Sequence, residues 1–161
     1  MPGAISRWRL AIARLRARGR LEVGAEVVVG RGARVDVARG GVVRLGDGCS
    51  LGPDCRVEAA GGVLEIGARA RLGERAVIVA MERVTVGAGA TLGDWAIVAD
   101  AEEPLPGADV ETPLREQPVV TRPVRIGAGA RVGAHAALSA GATVGDGEAL
   151  GSYTRAPLRY A

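Results

Sequence analysis

The sequence predicts an all-β chain: a parallel β-helix wound as a three-sided prism of about six coils, with a short N-terminal amphipathic helix and one long inserted loop. Three observations predict it. A six-residue phrase recurs from Val23 to Tyr153: an aliphatic residue, usually Gly, two variable residues, a small residue and one more, as in Leu45-Gly46-Asp47-Gly48-Cys49-Ser50 and Val86-Gly87-Ala88-Gly89-Ala90-Thr91. The phrase starts at Val23, Leu45, Ile66, Val86, Ile126 and Val144 are 22, 21, 20, 40 and 18 residues apart, and 18 is three hexads, one turn of a triangular prism. The composition agrees: 48% hydrophobic residues with no Phe, two Trp and two Tyr describe a narrow core of Val, Ile, Leu and Ala. The 25 Gly supply corners where φ is positive or backbones approach closely.

Residues 1–20 come first. Ile5, Trp8, Ile12 and Leu15 recur at helical spacing over residues 4–18, arginines fill much of the other side, and Gly19 ends the helix. Six of the 21 Lys+Arg residues, all of them Arg, lie in this segment with no acid beside them. The net charge of +3 therefore hides a mildly acidic body, and the basic balance does not point to nucleic acid. The helix reads as a cap on an open prism end or as a peripheral membrane contact through residues 4–18. No apolar run reaches a membrane span, and no apolar stretch follows the basic start as in a secretory signal, so the expected location is the cytoplasm, including the inner face of its membrane.

The prism follows over residues 21–156. Intervals of 20–22 are one turn with a slack corner, at Ala38-Arg39-Gly40-Gly41, Ala59-Ala60-Gly61-Gly62 and Ala80-Met81-Glu82-Arg83, so the slack corners stack into one irregular edge. At about 4.8 Å per coil, six coils span about 29 Å. Cys49 and Cys55 occupy the small-residue place of successive hexads and face different sides, which predicts buried free thiols.

The interval of 40 holds an insertion, the loop 100–123, where acids and prolines replace the hexads. Loops of this length in a compact domain tend to be functional. The hexads then run without a slip from Ile126 to Arg155, and residues 157–161 form a short tail.

The hexads resemble those of the left-handed β-helix, hexapeptide-repeat acyltransferases over residues 21–156. Asp109-Val110-Glu111-Thr112-Pro113, Gln117 and Arg122-Pro123-Val124-Arg125-Ile126-Gly127 resemble the segment after the active-site loop of bacterial sugar and polysaccharide O-acetyltransferases. Leu138-Ser139-Ala140-Gly141-Ala142-Thr143 and Leu150-Gly151-Ser152-Tyr153-Thr154-Arg155 resemble their final coils. The resemblance implies left-handed winding, a homotrimer, acetyl-CoA or another acyl-CoA as co-substrate in the cleft between prisms, a sugar acceptor, and a loop His that takes the acceptor's proton.

This chain departs from that pattern at one place. The stretch Val98-Ala99-Asp100-Ala101-Glu102-Glu103 contains no His. The remaining candidates for proton transfer are Asp100, Glu102, Glu103 and the single His, His135, at the fourth place of a hexad. The acids serve equally as a clamp for an amino sugar, and an amine needs less help from a base than a hydroxyl. Gly133, Ala134, Gly151 and Ser152 are small enough for pantetheine to lie along the coil, and Arg155 stands where relatives place a cation near the CoA phosphates. Trp95, a scarce aromatic just before the loop, is a candidate anchor for a neighbouring subunit or for the loop. One His per chain excludes a three-His zinc site, so no metal is expected. Two functions follow: CoA-dependent acyl transfer to a hydroxyl or amine of a sugar or envelope-glycan precursor, or a catalytically degenerate scaffold that keeps the prism.

Overall fold

A computed structural model describes residues 19–38, 40–102 and 118–157. The segment predicted as an N-terminal helix, most of the inserted loop including Glu103, and the end of the tail lie outside the described residues. The described chain is a parallel β-solenoid of six coils and three sheets. The first sheet stacks Leu21–Val23, Val42–Leu45, Val63–Ile66, Arg83–Val86, Val124–Ile126 and Thr143–Val144. The second runs from Val28–Val29 to Ala149–Leu150, and the third from Arg34–Val37 through Arg56–Ala59, Val77–Ala80, Ile97–Ala99 and Ala137–Leu138 to Arg155–Ala156.

The register is the one that the hexads predict. Val23 pairs with Leu45, Leu45 with Ile66, Ile66 with Val86, Val86 with Ile126, and Ile126 with Val144. Each of these residues points inward. Residues two apart share a face of a strand, so the first sheet turns two aliphatic columns inward, one through Leu64 and one through Ile126, and Leu51, Ile78 and Leu138 are among the largest inward residues of the other two sheets. Small residues at the corners, Ala70, Ala76, Ala90, Ala96, Ala130 and Ala136, are also buried and let the chain turn over this narrow core. Cys49 and Cys55 belong to the same set; both are free and fully buried.

The corner glycines at the second hexad place are required by close approach. A methyl group on Gly67 would sit 2.5 Å from the Ala88 nitrogen, and one on Gly87 2.5 Å from the Gly127 carbonyl carbon. The corner turns also place non-glycine residues in the left-handed region: Asp54, Arg75, Trp95, His135 and Tyr153 have φ between 53° and 61°.

The insertion begins differently from a plain loop. Ala101–Glu102 pairs antiparallel with Val120–Thr121, so the chain leaves and re-enters the prism as a two-stranded stem.

Candidate functional site

The third sheet lies between two unlike corners. At one, where it joins the first sheet, the slack turns stack and the inserted loop departs. At the other, where the second sheet joins it, a column of side chains rises from the left-handed corner positions.

Asp100 stands at the first corner. It is fully buried, and among the described residues it is the one buried charged side chain. Its Oδ1 accepts from the Met81 N–H at 2.7 Å, and its Oδ2 accepts from the N–H groups of Glu82 and Arg83 at 2.7 and 2.6 Å. Its carbonyl accepts from the Arg122 N–H at 2.9 Å. This corrects the expectation that Asp100 is a general base. Both carboxylate oxygens already hold backbone donors and no part of the residue reaches solvent, whereas a base must come within hydrogen-bond reach of the acceptor's proton.

Glu102 projects from the stem half-exposed. Its Oε2 lies 3.5 Å from Nη2 of Arg122, and Nε of Arg122 is buried without a partner among the described residues. The stem thus carries one acid and one cation beside the third sheet. Arg122 also covers the left-handed Gly141 of the next coil, with closest approaches of 3.6 Å to a methyl built there.

At the opposite corner, His135 lies between two aromatic rings. Its ring centroid is 4.8 Å from that of Tyr153 with the planes 4° apart, and 6.0 Å from that of Trp95 with the planes 6° apart. The guanidinium of Arg75 sits 4.9 Å over the other face of Trp95. The ladder is a consequence of the coil: the N–H groups of Trp95, His135 and Tyr153 donate to the carbonyls of Glu74, Asp94 and Ala134, so the four residues stack in register. It is a surface feature, with Trp95 46% and Tyr153 76% exposed. Stacking covers the two faces of the imidazole and leaves its edge, which carries both nitrogens, as the part open to a ligand.

Between these corners the outward residues of the late coils are small or apolar: Ile97 and Ala99, then Ala137 and Ser139. The floor continues toward the early coils as a groove lined by Arg34, Arg56, Arg75, Val77, Trp95 and Ile97. The face of the third sheet bounded by the aromatic ladder on one rim and the loop stem on the other is the candidate trough.

Gly133, Ala134, Gly151 and Ser152 all fall on the ladder rim. A methyl on Gly133 would meet the Ser152 backbone nitrogen, and the Ala134 carbonyl accepts from Tyr153. Arg155 pairs with Ala137 on the floor and is exposed. The structure therefore brings His135 together with the four small residues. It does not bring His135 to Asp100 or Glu102 within one chain, since the length of a third-sheet strand, on the order of 15 Å, separates the rims. Glu103 lies outside the described residues.

No family model matches the chain. It is 26% identical over 111 residues to a probable acetyltransferase of Mycobacterium tuberculosis, a match that covers 69% of this chain and 36% of that protein. The chain thus spans about a third of the length of that curated relative. Among solved structures, AntD, an N-acyltransferase from Bacillus cereus in complex with dTDP and 3-hydroxybutyryl-CoA, superposes with a TM-score of 0.68 at 20% identity, covering 86% of this chain and 73% of AntD. An AntD variant with dTDP-4-amino-4,6-dideoxyglucose and coenzyme A gives a TM-score of 0.71 at 20% identity, covering 88% and 76%. The chain shares the fold of these AntD structures. That fold accounts for the three sheets and the six coils; activity and substrates are a separate question, because a fold hosts many functions.

Three residues of this candidate site were not singled out from the sequence: Arg75, Tyr153 and Arg122. The signal for the first two was available. Arg75, Trp95, His135 and Tyr153 are 20, 40 and 18 residues apart, the same intervals that separate the coil starts. No comparable spacing marks Arg122, whose place depends on where the insertion rejoins the prism.

Proposed function

We propose that the chain is a CoA-dependent acyltransferase, in the first instance an acetyltransferase, acting on a hydroxyl or amine of a sugar or envelope-glycan precursor. The observation that carries this reading is the trough: a small-residue floor with a His edge on one rim and an acidic stem on the other. It lies on a fold whose AntD structures hold CoA and an amino-sugar nucleotide. The acyl carbon of the thioester is attacked by the acceptor, an oxyanion develops, and the CoA thiolate leaves. The corner N–H groups and the small residues Gly133, Ala134, Gly151 and Ser152 offer a ledge along which pantetheine lies. Arg155 faces the CoA phosphates.

An amine fits this chain better than a hydroxyl. A sugar hydroxyl needs a base within hydrogen-bond reach during attack, worth roughly 10²–10⁴ in rate, whereas an amine in its free-base form is already a nucleophile. The loop stretch has no His, and Asp100 is committed to the backbone. Glu102 then draws an aminium substrate to the rim, and His135 or a loop glutamate, Glu102 or Glu103, takes the proton released after attack. Because the two rims do not meet in one protomer, the working site is proposed to form in a homotrimer, where the His edge of one prism faces the loop edge of its neighbour.

The second reading is a catalytically degenerate scaffold, favoured by the missing loop His and the structural use of Asp100. Melting curves separate the two. At a ligand concentration of 100 Kd, linkage adds about 2.7 kcal/mol of stability, so acetyl-CoA is expected to raise the melting temperature by several degrees. No shift at millimolar acetyl-CoA leaves the scaffold reading.

A further inference from the structure

We infer that Asp100 is the positioning residue of the inserted loop: its carboxylate stands in for the backbone that the prism loses where the loop leaves, and so holds the stem carrying Glu102 and Arg122 at the rim of the trough. The functional part of this inference rests on the acyl-transfer reading of the trough.

The argument starts one coil earlier. There the slack corner sends the N–H groups of Ala60 and Gly62 to the Ala80 carbonyl at 2.7 and 3.3 Å, and that of Val63 to the Glu82 carbonyl at 3.0 Å. Three corner donors are met by the backbone of the next coil. At the following corner the donors are Met81, Glu82 and Arg83, and the chain above them turns outward at Asp100 into the stem. Among the described residues no backbone carbonyl of the next coil takes these donors; the two oxygens of Asp100 do. The residues are exposed, but their N–H groups point at the fully buried Asp100 carboxylate; an N–H turned inward without an acceptor is costly, and a carboxylate supplies enough lone pairs for all three.

The same residue touches both roots of the loop. Its side chain holds the coil below, and its carbonyl holds the N–H of Arg122, where the chain returns. Arg122 closes the connection upward, since its carbonyl accepts from the Gly141 N–H at 3.1 Å. The stem is thereby fixed between the corners of two coils: the Asp100 carboxylate holds the coil below, and the carbonyls of Asp100 and Arg122 hold the return of the chain and the coil above. Asn is a poor replacement despite its shape. It offers one acceptor oxygen, and its NH₂ group would face a backbone donor whichever way the amide is turned.

Amide exchange on the full chain tests this, together with steady-state acyl transfer from acetyl-CoA. In the wild-type protein, the amides of the exposed residues Met81–Arg83 are expected to exchange at least about 100-fold more slowly than that of Gly61 in the corner below. In Asp100→Asn that protection is lost, and the amides of Val120–Arg122 exchange at least about 10-fold faster while those of the first two coils do not change. Turnover falls at least about 10-fold with the KM for acetyl-CoA within about threefold, since the loop is displaced and the ladder rim is intact. Loss of protection at Met81–Arg83 with wild-type exchange at Val120–Arg122 overturns the positioning role and leaves Asp100 as a local corner acceptor. Fast exchange at Met81–Arg83 in the wild-type chain overturns the clamp itself, and needs no variant to fold. A wild-type chain that transfers no acyl group from acetyl-CoA defeats the acyl-transfer reading, while the exchange rates still decide the clamp.

Discussion

Asp100 and His135 show how a side chain's role is set by the coil above and below it. Both are single polar residues at corners, and both are candidate bases on composition alone. The neighbouring coil gives Asp100 three backbone donors and gives His135 two aromatic rings. One is thereby closed to substrate; the other keeps its edge open. Packed ring pairs contribute about 0.5–1.5 kcal/mol each, and the exposure of Tyr153 places that contact toward the low end. The buried thiols make a contrasting pair. Burial pushes Cys49 up to about 11 and Cys55 up to about 12. The folded chain then keeps thiol protons that the unfolded chain releases above about pH 8.5–9. That contribution is fully present below the unfolded thiol pKa and is lost as pH rises toward the folded values. Urea midpoints are therefore expected to fall between pH 9 and 11, and replacing both cysteines by Ala should flatten that decline. An equally steep fall in the double variant would place the cause elsewhere.

At the scale of the coil, the corners carry more of the specification than the strands. The strands are two to four residues long and stabilised by stacking on neighbours, whereas the corner glycines have no alternative. Gly67→Ala places a methyl 2.5 Å from the Ala88 nitrogen and 2.7 Å from the Gly87 carbonyl carbon, both backbone atoms of the next coil. Relief requires parting two coils, so the variant is expected to lose roughly 1–3 kcal/mol, the range of overpacked interiors, in chemical denaturation. An unchanged midpoint would mean that the coils part without cost. The exposed ladder Glu22–Arg44–Glu65–Arg83 on the first sheet is the opposite case. Its ion pairs span 2.8–3.2 Å, but each is worth only about 0.2–1 kcal/mol when solvated. Coil register was legible in advance because a small inward residue and a close-packed glycine recur at fixed places. The stem and the Asp100 clamp were not, because they depend on which donors an insertion strands, and those donors sit 17 to 19 residues away in the chain. The ladder lay between these cases: its spacing was present, but it shows only when coil intervals are applied to exposed residues as well as to the core.

For the molecule as a whole, the prism is the frame and one face of it, with the loop stem, carries the candidate site. The three-sheet core reads directly from hexads, as does the identity of the slack edge. Function reads less directly, because the rims that would act together belong to opposite edges of one sheet and face a neighbouring chain in the proposed homotrimer. Glu103 and the segment predicted as an N-terminal helix lie outside the described residues, so the rim is defined here by Glu102, Arg122, the ladder and the small-residue ledge. The central claim is that this ledge takes CoA. The direct measurement is a crystal structure of the full chain with millimolar CoA. The account predicts pantetheine along Gly133, Ala134, Gly151 and Ser152, with the phosphates toward Arg155 and the thiol toward His135 and a neighbour's loop stem. CoA bound away from the trough, or a trough left empty at saturating CoA, would contradict it.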